Sequence, residues 1–148
     1  MPVINLGVMD IPYADDMGKP IEGRVDAETG ELSTTGQVAI DLEERYGIMK
    51  FFIDSHGQQL ADEAVQTLLD KWSGMSKNSE ELSFLSEAEE LFRRMIESKE
   101  LDNEVGGVPT KASLIGKSLR FKRQYGPPRP SFIDSGLYLA NFHAWVKS

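Results

Sequence analysis

The sequence contains no cysteine, and histidine occurs only twice, at His56 and His143. The first absence excludes a disulfide scaffold, a thiolate zinc site and a cysteine nucleophile. The two histidines lack the spacing of a metal-ligand pair, so we predict no metal site. Charged residues interrupt every apolar run well before the roughly 18 residues that a membrane span needs, so we expect no membrane partner. The N-terminus lacks the basic and apolar regions of a signal peptide, and we expect a protein that is not secreted.

The residue patterns of a catalytic site are scarce as well. Asp54, Ser55 and His56 are the residue types of a hydrolase triad, but adjacent residues point in different directions on a helix and cannot align as one. The Gly106-Gly107 pair is not followed by the glycine and lysine pattern of a phosphate-binding loop. We therefore predict that the protein is not an enzyme and that it uses no cofactor.

Charge is distributed unevenly along the chain, whose formal net charge is −8. Residues 1–104 contain 23 acidic and nine basic residues, whereas residues 105–148 contain one acidic and seven basic residues. The two parts therefore carry net charges of −14 and +6. This division suggests that they face different partners, or that the acidic part of one copy meets the basic part of another. Solvated acidic helix faces followed by a basic loop are the simpler alternative.

Residues 1–34 are interrupted by glycine and proline, and no helical period survives their spacing. The stretch that ends at Gly30 has the composition of a tight turn. Alone, such a segment buries too little apolar surface to hold a shape. We predict an extended N-terminal arm over residues 1–34 that becomes ordered against a neighbour, with disorder as the alternative. The remainder, residues 35–148, is predicted to form one core domain with a basic C-terminal segment over residues 105–148.

The middle of the chain has the periodicity of amphipathic helices. A first helix is predicted to begin after Thr34 or Thr35 as the N-cap and to end at Gly47. The clearest helical pattern is Ile48–Trp72, in which apolar residues recur at steps of three and four. This pattern forms one broad stripe made of Leu60, Ala61, Ala64, Val65, Leu68, Leu69 and Trp72.

A further amphipathic helix is predicted over residues 83–99. Within it, Ser86 and Glu89 have the spacing of a capping box. We expect this helix to pack antiparallel to Ile48–Trp72, because the two apolar stripes would then form a shared core.

After residue 104 the pattern changes to short elements. Thr110 can cap a short turn that ends at Leu114. The last residues alternate in the manner of a half-buried strand, with one face formed by Phe142, Ala144 and Val146. We predict an α+β fold in which two long antiparallel helices pack on a small antiparallel sheet, built from the C-terminal strand and the basic segment.

Residues 117–129 are basic, and Phe121 and Tyr125 lie between the cations. The cationic residues are Lys117, Arg120, Lys122, Arg123 and Arg129. Cations neutralise phosphate and aromatic rings stack on unpaired bases, so a nucleic-acid-binding module is one hypothesis. The other hypothesis is a segment that docks on acidic helices of a neighbouring subunit. We predict that these residues contact a subunit or DNA.

A turn motif near the C-terminus resembles one found in neck and tail-completion proteins at the head–tail junction of long-tailed bacteriophages. Proteins of that group often carry a Pro-x-Asp-Thr-Gly-x-Leu turn near their end. The residues that carry the resemblance here are Pro130, Asp134, Ser135, Gly136 and Leu137. The gap after the proline is longer, and serine stands where threonine is usual.

The resemblance implies a structural virion protein that forms a ring and has no catalytic residues. Its partners would be copies of itself, neighbouring head–tail connector or tail proteins, and DNA that passes through the channel. Its location would be the neck or tail of the virion, after assembly in the host cytoplasm. Another tail structural protein, a terminator or a tube subunit, is the alternative within this class.

Overall fold

A computed structural model describes residues 2–14, 17, 19, 29–31, 33–74, 82–116, 127–133 and 136–147. The elements, in chain order, are β1 (Val3–Val8), α1 (Thr35–Tyr46), α2 (Ile48–Trp72), β2 (Leu82–Phe84), α3 (Ser86–Glu97), α4 (Lys111–Leu114), α5 (Leu137–Ala140) and β3 (Phe142–Lys147). The three strands form one antiparallel sheet in the order β1-β3-β2. The predicted α+β class is therefore confirmed.

The C-terminal strand β3 lies at the centre of the sheet, and its alternation is the one that the sequence predicts. Phe142, Ala144 and Val146 are fully buried on the inner face. His143 and Trp145 are half-buried between them in sequence. Because side chains alternate along a strand, the sheet presents one face to the core and one face away from it.

Three aromatic rings join the helices to the inner face of this sheet. The rings of Phe92 and Phe142 stack with their centroids 3.7 Å apart, and Phe52 meets Phe92 edge-on at 5.2 Å. One ring comes from α2, one from α3 and one from β3, and all three are buried. Stacked and edge-to-face pairs are favourable aromatic geometries, so this cluster fixes the helices over the sheet.

Helices α2 and α3 run antiparallel, as predicted. His56 lies beside Glu100, and Glu63 lies beside Ala88, so increasing residue number on α2 matches decreasing number on α3. The second helix begins later than the predicted residues 83–99, because Leu82–Phe84 pairs with β3 as a strand. Ser86 and Glu89 do not form a capping box, because the residue that precedes the helix is Leu85, whose side chain makes no cap.

The structure differs from the predicted N-terminal arm at its first residues. Val3–Val8 pairs along its whole length with β3 of the same chain. Farther along, the buried Thr35 hydroxyl accepts a hydrogen bond from the Ile11 backbone N–H at 2.8 Å and donates one to the Met9 carbonyl. These contacts attach the first residues to the chain's own core, so they do not form an arm free for a neighbour.

The predicted ends of α1 and α4 are confirmed. Thr34 caps α1 by accepting a hydrogen bond from the Gln37 N–H at 3.2 Å. Gly47 ends α1 with φ +63°, a left-handed conformation that glycine adopts without strain. Thr110 caps α4 through the Ser113 N–H, and α4 ends at Leu114.

Candidate functional site

The side chains of the triplet that includes His56 have separate partners. Asp54 accepts a hydrogen bond from the Lys50 ammonium, with Nζ 2.6 Å from Oδ2, and this contact raises the pKa of Lys50. His56 Nε2 lies 2.9 Å from a carboxylate oxygen of Glu100 on the segment after α3. Ser55 is exposed. The three residues therefore do not line up as nucleophile, base and orienting acid.

The second histidine also faces a glutamate. His143 Nδ1 lies 3.1 Å from Oε1 of Glu89, and the same oxygen accepts a hydrogen bond from the Ala144 N–H. This carboxylate therefore links α3 to β3. Across the described residues, no group of three histidine, aspartate or glutamate side chains is arranged to hold a metal ion.

Arg129 is the one predicted contact cation that the described ranges include; Lys117, Arg120, Lys122 and Arg123 lie outside them. Its guanidinium donates to the Ile133 carbonyl within its own loop. Its backbone N–H donates to the Ser113 carbonyl at 2.9 Å. Arg129 thus stabilises the loop in which it lies, and its predicted contact with a subunit or DNA stays a prediction.

Buried hydroxyls hold the loop of residues 127–133 against α4. Ser113 and Ser131 are buried, and their Oγ atoms lie 3.0 Å apart. The Thr110 N–H donates to the Ser131 hydroxyl at 3.0 Å. Together with the bond from Arg129, these contacts bring the residues that flank positions 117–126 to one place on the body.

The terminal motif is described in part: Pro130, Gly136 and Leu137 lie in the described ranges, and Asp134 and Ser135 lie outside them. Gly136 has φ +80° and directly precedes α5. Tyr138, next to Leu137 in α5, is buried in the core. In this chain, the described part of the motif turns the backbone into α5 and from there into the central strand.

Helix α2 carries an exposed row of apolar and small residues, which we call the α2 apolar row. Its members, spaced by four, are Ile53, Gly57, Ala61, Val65 and Leu69. Val65 is 57% exposed and Leu69 is 50% exposed, and Trp72 at the end of the helix is 69% exposed. The predicted apolar stripe is therefore only partly core: Leu60, Ala64 and Leu68 are buried, and the adjacent row faces outward.

The next row of the same helix is entirely polar, and we call it the α2 polar row. It consists of Lys50, Asp54, Gln58, Asp62, Gln66 and Asp70. Beside the pair of Lys50 and Asp54, the Gln58 amide donates to Asp62 and the Gln66 amide donates to Asp70, each at 2.8 Å. Side chains four apart are neighbours on a helix, so these pairs order the whole row. Three aspartates against one lysine make the row acidic.

The outer sheet face is a second apolar surface. Phe84 and Met9 are each more than half exposed, and they border a groove with His143 and Trp145. Gly7 lies under the indole, where an added Cβ would lie 3.2 Å from a ring carbon of Trp145. Glycine at this position therefore lets the tryptophan lie across the strand.

Sequence reasoning assigned the whole α2 stripe to the core and so missed the α2 apolar row as a surface. The signal for it is the width of the stripe, which covers two of the helix's four rows beside a row that is wholly polar.

Comparison of the chain with protein-family models, curated proteins and solved structures finds no match. Within the described ranges, no helix is both long and apolar enough to cross a membrane.

Proposed function

We propose that this protein is a structural virion protein of a tailed bacteriophage, a ring-forming subunit of the neck or head–tail junction. The observation that carries the proposal is the α2 apolar row, which leaves Val65 and Leu69 at least half exposed along a helix that runs across the body. A row of exposed apolar side chains along one helix favours a protein that is covered by neighbours in its working state. A ring needs such a surface on every copy, because each subunit contacts the next by head-to-tail contacts.

Two further features support this function. The turn at Gly136 resembles the terminal turn of neck and tail-completion proteins, and here it leads into the central strand of the sheet. The charge division between residues 1–104 and 105–148 supplies each copy with an acidic and a basic part. Opposite charges on different parts of one subunit suit contacts between unlike surfaces of adjacent copies.

Electron microscopy of the purified full-length protein, with sedimentation velocity on the same samples, tests the proposal. We expect closed rings whose population increases with protein concentration. A protein that stays monomeric at every concentration would contradict ring formation. If the monomer instead binds DNA with a steep dependence on salt, the nucleic-acid-binding module is the better assignment.

A further inference from the structure

We propose that the α2 apolar row and the α2 polar row together form a docking surface for residues 117–126 of a neighbouring copy. The inference rests on the proposed ring function and names the joint between adjacent subunits. The occupant of this surface is a basic segment that also carries apolar side chains.

The shape of the α2 surface suits a narrow chain segment. Gly57 and Ala61 are small, and an added Cβ at Gly57 would meet no atom within 4 Å. Ile53 on one side and Val65 on the other are each at least half exposed. The row therefore has a low middle between larger apolar side chains, and an extended segment can lie along it.

Charge identifies the occupant. Asp62 and Asp70 accept hydrogen bonds from glutamine amides, which are neutral, so these bonds leave the acidity of the row in place. Residues 117–126 contain four cations and no acidic residue. Complementary charges of this kind set the register and the rate of association, while apolar burial supplies most of the affinity.

The spacing of the two patterns also agrees. Residues four apart on a helix lie about 6 Å apart along its axis. Alternate residues of an extended chain lie about 6.6 Å apart. In an extended segment, Leu119 and Phe121 would point to one side, and Arg120 and Lys122 to the other. The apolar pair would then match Val65 and Leu69.

A second α2 helix is a poorer occupant than the basic segment. Two antiparallel copies of α2 would be related by a two-fold axis perpendicular to both helices. That axis leaves both polar rows on the same side of the joint, so Asp62 and Asp70 of each copy would approach those of the other. Like charges brought together in this way oppose association.

The geometry favours the segment of a neighbour over the copy's own segment. The Arg129 N–H donates a hydrogen bond to the Ser113 carbonyl, so the residues on the two sides of positions 117–126 lie close together. The Phe132 ring packs against the Tyr46 ring, with the centroids 5.0 Å apart, which places this loop at the end of α1. A loop over residues 114–128 whose ends meet reaches at most about 25 Å. Leu69 lies about 32 Å from the start of α2, which begins two residues after Tyr46. Leu69 therefore lies farther from this end of α2 than the loop can extend, which favours the segment of a neighbour at the far end of the row.

Disulfide trapping tests the docking directly, because the chain has no cysteine and every disulfide must come from introduced residues. Full-length Leu69→Cys and Phe121→Cys proteins are mixed and oxidised, and the cross-linked peptides are identified by mass spectrometry. We expect a dimer that joins position 69 of one protein to position 121 of the other. Glu90→Cys, at an exposed position of α3, is the matched control and should give no such product with Phe121→Cys.

Three results would overturn the docking proposal. One is the absence of the mixed dimer. Another is a Leu69→Cys protein that dimerises with itself in preference, which would indicate pairing of two α2 helices. The third is an intramolecular disulfide in the Leu69→Cys/Phe121→Cys double variant at high dilution, which would assign the surface to the copy's own segment.

Charge reversal separates the docking proposal from the ring function. Asp62→Lys/Asp70→Lys and Arg120→Glu/Lys122→Glu should each weaken self-association about tenfold or more, and combining all four changes should restore most of it. Rings that form normally in both double variants would contradict the docking and leave the ring function standing. A mixed dimer from a protein that never forms rings would contradict the ring function and leave the docking standing.

Discussion

At the scale of single residues, glutamate side chains of one helix cap the N-terminus of the next helix. The Glu43 carboxylate of α1 accepts hydrogen bonds from the Met49 and Lys50 N–H groups at the start of α2. The Glu63 carboxylate of α2 does the same for Glu87 and Ala88 at the start of α3, at 3.0 and 2.7 Å. A helix N-terminus has unsatisfied N–H donors and favours negative charge, so each glutamate both caps a helix and links it to another.

Removal of the Glu63 carboxylate should therefore weaken the contact between α2 and α3. We expect Glu63→Ala to lower the free energy of unfolding by about 1–2 kcal/mol, as the loss of a charged cap does. Glu90→Ala is the control, because it breaks only an exposed pair with Arg94 and should change stability by less than about 0.5 kcal/mol. Urea denaturation measures both, and equal effects would show that the cap contributes nothing of its own.

Tyr138 gives a second prediction at this scale. Its hydroxyl is buried with no hydrogen-bond partner among the described residues, and burial raises the pKa of Tyr138 well above its ordinary value. The folded state then holds this proton more tightly than the unfolded state. The contribution of Tyr138 to stability is therefore constant below about pH 10, the unfolded pKa, and is lost as the pH increases beyond it.

Tyr138→Phe should remove both the unpaired hydroxyl and the loss of folding stability at alkaline pH. We expect the free energy of unfolding to increase by about 1 kcal/mol at neutral pH, because a buried group without a partner is removed. Between about pH 9 and pH 11, the variant should lose less stability than the parent. Urea denaturation at several pH values measures this, and parallel curves for the two proteins would refute the role of Tyr138.

At the scale of elements, α2 shows what its sequence pattern could predict and what it could not. The helix, its bounds and the burial of Leu60, Ala64 and Leu68 follow from periodicity alone. The exposure of Val65 and Leu69 does not, because the pattern says which residues are apolar and not how wide a surface the neighbouring elements cover. That width depends on α3 and the sheet, which are distant in sequence.

Adjacent residues of α2 provide a matched test of the two rows. Leu68 is 6% exposed and Leu69 is 50% exposed. Leu68→Asp places a charge in the core and should cost several kcal/mol or prevent folding. Leu69→Asp should cost less than about 1 kcal/mol, because its carboxylate stays in water. Thermal unfolding followed by circular dichroism checks this, and similar melting of the two variants would contradict the assignment of the rows.

The strands are harder to predict from the sequence than helix α2. The central strand β3 was predicted because its alternation is strong, whereas β1 and β2 were not. In β1, Ile4, Leu6 and Val8 alternate with Asn5 and Gly7, but the glycine weakens the strand signal, and the partner strand is at the other end of the chain. In β2, only three residues pair. The caps at Thr34 and Thr110 were predictable because each depends on residues within one turn. Pairing between distant segments has no such local signal.

At the scale of the whole molecule, the sheet joins the beginning, the middle and the end of the chain. Val3 pairs with Lys147, and Phe84 pairs with Trp145 on the other side of β3. The central strand is the last of the described elements, so the sheet cannot form until the residues up to Lys147 are present. Contacts between residues so distant in sequence close large loops, and folding that depends on them is slow compared with a helical bundle.

Removal of residues 2–8 should therefore destabilise the whole fold. The deletion removes one of the two strands that pair with β3. It also removes Leu6 and Val8, which pack against the hydrophobic core, so part of that core becomes exposed. We expect a large loss of cooperative unfolding by circular dichroism and calorimetry, whereas removal of the exposed Pro2 alone should leave the melting temperature unchanged. If the shortened chain melts like the parent and fails only in ring assembly, the segment serves a neighbour, as an arm would. A loss of cooperative folding would instead show that β1 is part of the core of the chain itself.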